Sequence, residues 1–424
     1  LLKKLSTSRN IALGYALAIH TGSILLILPC SVRPGVHLEY IDSLYTSTSA
    51  VCVTGLVSVD AKDTFTPLGQ FFLAMLIQIG GLGVTAIGAG IIIAMGKKVN
   101  MKGRSLIRDA LNVDSGKGMI IFIRDIFMTT VFFELVGAML SYIVFSKDYP
   151  PVEALGISLF HSIAAFNNSG FDILGNYRSL TGYYDNFTLN IITCVLIFFG
   201  GIGFLVIREL RIKHFHWKKL SMHSRVVISM SLFLIVSGTL LIKATENISW
   251  LGAFFLSFST RTAGFSTYPL GNFSSAGLLM FIGASPGSTG GGIKTSTFFV
   301  LLQGIKSAAT NKSEKAFHYA VPKNAFSKAA IITAIGAAIV LTGTYIMLVL
   351  QPELSFIDVF FEVTSAFSTS GLSTGITQQL GMGAKLLSII IMYAGRLGPL
   401  TIVTVWYFSK GERVSYPEGN ISVG

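Results

Sequence analysis

Ser49-Ala-Val-Cys-Val-Thr-Gly55-Leu56 is a phrase that this chain writes four times. It returns as Ala164-Ala-Phe-Asn-Asn-Ser-Gly170-Phe171, as Phe258-Ser-Thr-Arg-Thr-Ala-Gly264-Phe265 and as Ser365-Ala-Phe-Ser-Thr-Ser-Gly371-Leu372. Each copy ends in a small residue, then Gly, then Leu or Phe, and the four glycines cut the 424 residues into near-quarters. A second mark follows each copy: Gly80-Gly-Leu-Gly83, Gly200-Gly-Ile-Gly203 and Gly395-Arg-Leu-Gly398, with Gly290-Gly-Gly-Ile-Lys294 in the third. Self-similarity at a steady period is one structural unit copied. The units are 1–97, 98–212, 213–308 and 309–410, followed by a tail, 411–424.

Around each phrase lie long apolar runs. A membrane span needs about 20 mostly apolar residues; 11–28, 68–95, 120–145, 188–207, 226–242, 276–302, 329–350 and 385–408 qualify. The first resembles the apolar part of a signal peptide, but it lacks a small-x-small cleavage site and reads as a span. The stretches that end in the phrase, 38–56, 152–171, 248–265 and 354–372, are too short to cross and too apolar for ordinary loops. They read as re-entrant segments, a half-helix in and an extended chain back, which a membrane tolerates only around a cavity. The predicted fold is an all-α membrane protein: four M1–pore-helix–M2 repeats in a pseudo-fourfold arrangement around one pore, with eight transmembrane helices and four re-entrant pore loops. All four units begin and end on the same side, unlike the inverted repeats of many carriers.

The composition agrees. Hydrophobic residues make up 51% and charged ones 12%, half the ~25% charge of soluble domains, and mean hydropathy is +0.66. The 32 Lys and Arg against 20 Asp and Glu give +12, a balance that in a soluble chain would suggest nucleic acid. Here the bases sit between spans on one face: Lys3, Lys4 and Arg9; Lys97 to Lys117; Arg208 to Arg225; Lys306 to Lys328; Lys410 and Arg413. The other face carries Glu39, Asp42, Asp60, Asp63, Asp148, Asp185, Glu246, Glu353 and Asp358. That asymmetry places both termini in the cytoplasm and removes the nucleic-acid reading. Cys30, Cys52 and Cys194 are odd in number and widely spaced, so neither a disulfide framework nor a zinc site is expected.

The phrase has a chemical reading. Extended backbone at membrane depth carries carbonyls that no helix satisfies, and rings of carbonyls can replace the hydration shell of a monovalent cation. Gly permits unusual dihedrals and leaves the carbonyls bare. The expected ion filter is Val53, Thr54 and Gly55; Asn168, Ser169 and Gly170; Thr262, Ala263 and Gly264; and Thr369, Ser370 and Gly371. The ion's own contacts are expected at Thr54, Gly55, Ser169, Gly170, Gly264 and Gly371, with hydroxyl help from Thr54, Ser169, Thr262 and Thr369. The competing reading, glycines that merely let helices approach, suits one such residue better than four in phase.

The sixth span is interrupted by Gly283-Ala-Ser-Pro-Gly-Ser-Thr-Gly-Gly-Gly-Ile-Lys-Thr295. Pro286 and this density of glycine cannot make a regular helix. Two soluble-enzyme motifs overlap here without their context. Gly283-Ala-Ser-Pro-Gly287 matches GxSxG, but no sheet precedes it; Gly287 to Thr295 approaches a P-loop, but Ile293 stands where a Gly belongs. Gly81-Leu-Gly-Val-Thr-Ala86 matches GxGxxA within an apolar span, without the strand of a dinucleotide fold. Charges at membrane depth are costly and usually functional. Three stand out: Arg396, Lys294 and Glu134, the last read as structural. Asn167 either helps the filter or satisfies local backbone.

On these residues, above all Thr48 to Leu56 and Gly283 to Thr295, the whole chain resembles the Trk/Ktr/HKT superfamily of potassium transporters, most closely its bacterial KtrB-type members. The resemblance implies a multi-pass protein of the bacterial plasma membrane, potassium as the transported ion, and one filter glycine per unit. Relatives that admit sodium often carry Ser at the first, so Gly at all four favours potassium. The resemblance also implies an intramembrane gate formed by Gly283, Ala284, Ser285, Pro286, Gly287, Ser288, Thr289, Gly290, Gly291, Gly292 and Lys294, contacted by Arg396. It implies a homodimer, with the tail 411–424 at its interface, and a cytosolic KtrA-like ring of RCK subunits binding ATP or ADP, docked on the basic loops 97–118 and 208–225. Sodium is a candidate activator, and no organic cofactor is expected. Two alternatives differ in kind. An alternating-access carrier would need inverted halves. An intramembrane hydrolase on Ser285 would need a base, and His20 and His161 are the nearest candidates.

Overall fold

The computed structural model describes residues 7–94, 119–271, 282–322, 324–399 and 401–402. The basic loop 97–118, the tail 411–424, and Lys3, Lys4, Lys410 and Arg413 lie outside the described residues.

One sequence of elements recurs: a long helix, a short helix, a non-helical return, then a further helix. The first unit has α1 (Thr7–Ile27), α2 (Tyr40–Cys52), a single turn α3 (Ala61–Thr64), α4 (Pro67–Leu82) and α5 (Val84–Ala94). The second has α6 (Met119–Phe145), α7 (Pro151–Phe166), α8 (Phe187–Gly201) and α9 (Phe204–Ile212). The third has α10 (Met222–Thr245), α11 (Trp250–Ser259) and α12 (Thr295–Thr310). A two-stranded hairpin, Lys315–Ala316 with Tyr319–Ala320, leads to the fourth, with α13 (Ala325–Leu350), α14 (Phe356–Ser368) and α15 (Met382–Leu397).

Local chemistry sets the starts of these helices. Ser249 and Ser355 accept the amides of Gly252 and Asp358 at 3.0 and 3.2 Å, opening α11 and α14, while α7 begins with Pro at its first position. Such caps satisfy amides that have no partner within the helix. Asp42, Glu153 and Asp358 lie in the first turns of α2, α7 and α14, where a negative charge complements the helix dipole.

By length and composition, α1, α6, α10 and α13 can each cross a membrane. Two further candidates are not straight. Pro67–Leu82 meets Val84–Ile91 at 100°, and Phe187–Gly201 meets Phe204–Ile212 at 97°. The runs 68–95 and 188–207, which read as continuous spans, are therefore bent pairs. The cause is backbone: Gly83 and Gly203 have φ/ψ of 85/133° and 93/141°, a region closed to residues with a Cβ. The GxGxxA match at Gly81 thus crosses a helix break, with no strand before it. The spans 276–302 and 385–408 are only partly described; within the first, Gly283 to Lys294 is non-helical, as its composition requires.

Packing runs inside out relative to a soluble protein. The long helices expose Leu17, Met128, Met139, Leu240, Tyr345 and Val349, whereas the short helices bury hydroxyls, as Ser43, Thr46, Ser47, Thr48 and Ser49 do on α2. Large apolar side chains outside and polar ones within suit a bundle whose solvent is lipid. Each short helix packs on the long helix before it. Contacts between units run from α4 to α7, from α8 to α11 and from α15 back to α2, so the fourth unit returns to the first. The Lys385–Asp42 ion pair (2.6 Å) and the Tyr45–Ser388 hydroxyl pair (3.2 Å) fasten that last seam.

Candidate ion pathway

Each phrase begins where a short helix ends, and in three units the ending is the same. The amides of Thr54, Ser169 and Ser370 reach back five residues to Ser49, Ala164 and Ser365 at 2.7, 2.8 and 2.9 Å. Those of Val53, Asn168 and Thr369 reach back three residues. This is a Schellman closure, which turns the chain through a left-handed residue, usually Gly. Here that residue is Val53 (φ 56°), Asn168 (56°) or Thr369 (54°), and Thr262 (71°) matches them in the third unit. Three of the four are β-branched, so the positive φ is strained. Two residues on, Gly55, Gly170, Gly264 and Gly371 have φ of 93, 71, 78 and 79°.

The four returns touch in cyclic order. A Cβ on Gly55 would press on the Ser169 carbonyl, and one on Gly170 would stand 2.8 Å from that of Ala263. A Cβ on Gly264 would stand 2.9 Å from the carbonyl of Ser370, and one on Gly371 would press on that of Thr54. The glycines are thus required twice, by dihedral and by space, and the contacts close first unit to second, third, fourth and first again.

The second mark has an equally specific cause. A Cβ on Gly80, Gly200 or Gly395 would run into the carbonyl of Val51, Phe166 or Phe367 respectively. Each of these carbonyls belongs to the residue four before the return glycine. The descending helix passes so close to the end of the short helix that only Gly fits. Three residues later, Gly83, Gly203 and Gly398 share nearly one dihedral pair; Gly83 and Gly398 cap the ends of α4 and α15, and Gly203 caps the start of α9.

The third unit puts its Gly-rich loop against the returns. Gly290 packs on Thr262, and Gly292 on Ser368. The Gly291 amide donates to Thr369 Oγ1 at 2.9 Å. The amides of Ser285 and Thr289 take the Gly201 and Gly200 carbonyls at 3.0 and 3.2 Å, and Phe204 N–H donates to the Gly287 carbonyl at 3.1 Å. Gly200 and Gly201 lie where the α8 helix ends, which leaves its last carbonyls without helical partners. Arg396, in the last turn of α15, donates to the carbonyls of Thr289 and Gly80 and lies 5.9 Å from the Tyr15 ring. Lys294 Nζ donates to the Gly290 carbonyl at 2.7 Å. Both cations border a cavity of about 380 Å³ shared with Gly81, Gly287, Ser288 and Gly398; no carboxylate lines it among the described residues.

The expected residues are therefore brought together, with two differences. The hydroxyls of Thr54, Thr262 and Ser370 are buried without a partner, but Ser169 donates to Ala164 and Thr369 accepts from the loop. The hydroxyls of Ser169 and Thr369 thus also hold the fold. Asn167 and Glu134 form one network: the Asn167 amide donates to Glu134 Oε1 (3.0 Å), Gln78 Oε1 (2.8 Å) and the Ile163 carbonyl (2.9 Å). Ser285 pairs with Thr295 at 2.9 Å and His161 with Thr193 at 3.0 Å, so these two form no serine–histidine pair among the described residues. Two residues escaped the sequence reading. Glu362, wholly buried in α14, accepts from Ser373 at 2.8 Å and from Thr377. Arg261 lies inside the third phrase and reaches the Ile282 carbonyl at 2.9 Å. A charge within an otherwise apolar re-entrant stretch was the available signal for both.

Backbone oxygen gathered at the ends of buried helices, inside a bundle with an outer surface suited to lipid, defines a membrane transport protein for cations. The chain belongs to the TrkH family of cation transport proteins, whose family model matches residues 12–236 and 220–410. It is 34% identical over 432 residues to the Ktr system potassium uptake protein B of Bacillus subtilis, covering 98% of this chain and 96% of that one. It is 34% identical over 449 residues to the potassium/sodium uptake protein NtpJ of Enterococcus hirae, covering 100% and 98%. The crystal structure of the potassium transporter TrkH from Vibrio parahaemolyticus superposes with a TM-score of 0.71 over 94% of this chain and 85% of that one, at 19% identity, a likeness of fold.

Proposed function

We propose that this chain is the potassium-translocating membrane subunit of an uptake system. Its four units surround one pore, with the four returns as the filter and the Gly283–Lys294 loop as a gate. The observation that carries the reading is the cyclic contact of Gly55, Gly170, Gly264 and Gly371, each just past the C-terminus of a short helix. A helix C-terminus presents roughly half a negative charge, so four aimed at one place favour a cation by an amount on the order of two charges before any ion pair is counted. Carbonyls on residues whose φ alternates in sign can face one axis and replace lost water.

Below the ring, the loop blocks the way and Arg396 and Lys294 oppose an approaching cation. Opening requires the loop to leave Thr369 and Arg396 together. The names of the relatives support potassium, and one of them adds sodium; sodium as activator belongs to the same proposal. So do the homodimer, the cytosolic RCK-type ring that reads ATP or ADP, and the cytoplasmic placing of both termini, which rests on the one-sided bases. An alternating-access carrier and a hydrolase on Ser285 find no comparable support.

Ion-specific flux from purified protein in liposomes, with and without a cytosolic ring, tests the proposal. Potassium or rubidium uptake exceeding sodium uptake is expected. Equal passage of both ions, or none of either, would overturn it.

A further inference from the structure

We infer that Arg261 is a second anchor of the loop and couples it to the third filter strand; this rests on the reading of Gly283–Lys294 as a gate. Arg261 stands three residues before Gly264 and is only 8% exposed. Its guanidinium donates to the Ile282 carbonyl at 2.9 Å and to Thr260 Oγ1 at 3.3 Å. Ile282 is where the loop's two ends meet. It bridges in parallel to Ile293, and the Gly283 amide donates to the Ile293 carbonyl at 2.8 Å. Arg261 therefore grips the neck of the loop, while Arg396 grips its crown at Thr289.

The two grips differ in what they move. Arg396 belongs to a helix of the fourth unit, whereas Arg261 belongs to the strand that carries Gly264. A buried guanidinium is costly to strip of its acceptors, so the neck stays attached when the crown is freed. The strand it is attached to holds Thr262 at φ 71°, a conformation that persists only while its surroundings enforce it. A swing of the crown about the neck thus loads the third filter strand, and gate movement and ion preference become linked through one side chain. The corresponding residues of the other units, Cys52, Asn167 and Ser368, carry no charge.

Rubidium and sodium uptake are measured separately in liposomes for wild type, Arg261→Gln, Arg261→Lys and Arg396→Ala. Arg396→Ala raises rubidium uptake and, by freeing the crown while Arg261 still holds the neck, shifts the rubidium-over-sodium ratio as well. Arg261→Gln lowers that ratio by about tenfold, the worth of one hydrogen bond to a charged group, and Arg261→Lys restores most of it. A ratio unchanged in Arg261→Gln would overturn the coupling and leave the gate standing; Arg396→Ala without a rise would overturn the gate instead. If Arg261→Gln does not yield folded protein, hydrogen exchange on wild type and Arg396→Ala decides. The Gly291 amide should loosen while that of Gly283 stays protected, and joint loosening would overturn the anchor.

Discussion

The guanidinium of Arg396 is hydrogen-bonded to the carbonyl of Thr289, a contact between the fourth unit and the third. The same guanidinium reaches the Gly80 carbonyl of the first unit. One side chain thus ties three units together beneath the four returns, and it does so only while the loop lies across them. Half of the ten residues from Gly283 to Gly292 are glycine, so the ordered state of the loop is expensive in backbone entropy and depends on such ties.

Replacing Arg396 by Ala removes both bonds and one opposing charge. Basal rubidium uptake into liposomes should rise several-fold, with the protein still monodisperse. Arg396→Lys should fall between, because an ammonium is a point donor and cannot match the fork of a guanidinium. Deleting residues 286–291 should raise the leak further. A fall in uptake with intact folding would remove Arg396 from the gate.

Gly371→Ser places a Cβ against the Thr54 carbonyl and 2.9 Å from the Gly55 Cα, at a φ of 79°. Gly170→Ser meets the Gly264 Cα at 2.6 Å. Either should cut the potassium-over-sodium preference by at least about tenfold, or ~1.4 kcal/mol of discrimination. Competition of sodium against rubidium uptake measures it, and an unchanged preference would remove these glycines from the filter.

The phrase was legible as sequence because every unit carries a Gly at positive φ two residues after its left-handed turn. The second mark was legible as glycine but not as contact, since nothing local says that Gly80, Gly200 and Gly395 each face a carbonyl of another helix. The bends at Gly83 and Gly203 were missed for a related reason: apolar composition continues across them and holds no record of a dihedral. Ser169 and Thr369 are legible as hydroxyls beside the filter glycines, whereas their bonds to Ala164 and to the loop are not. Arg261 was passed over inside the phrase itself, as one variable letter among small residues.

Gly200→Ala tests the close approach alone. Its Cβ would run into the Phe166 carbonyl, and overpacking of this kind costs about 1–3 kcal/mol. Gly182→Ala is the control, with nothing within 4 Å of its Cβ. The thermal midpoint in detergent should drop for the first and hold for the second. Equal midpoints would mean that α8 can move away freely and that the glycine is not required by space.

Thr369→Val keeps the β-branch at φ 54° but deletes the acceptor of the Gly291 amide. Leaving that buried N–H unpaired costs about 1–3 kcal/mol, charged to the closed loop alone. Basal uptake should therefore rise, while Thr369→Ser, which retains the oxygen, should stay near wild type. If Val and Ser behave alike, the hydroxyl is not a latch.

Asp172, two residues beyond Gly170, should give uptake a pH dependence. Its carboxyl is pushed up to about 6, chiefly by burial, against the Leu174 amide and Arg178 and with smaller help from Asp60 and Asp63. A raised value means that the fold prefers the neutral acid. Stability from this group is therefore present at low pH and lost as pH rises through about 6, whereas the negative charge that draws cations appears only above it. Uptake from dilute potassium should fall as external pH drops through that value, by roughly threefold or ~0.6 kcal/mol, the scale of one partly screened charge. The thermal midpoint should move the other way over the same range. Asp172→Asn should hold uptake at the low-pH level throughout and abolish the step. A step that survives in the variant belongs to another group, and a midpoint that falls together with uptake on acidification would point to unfolding instead.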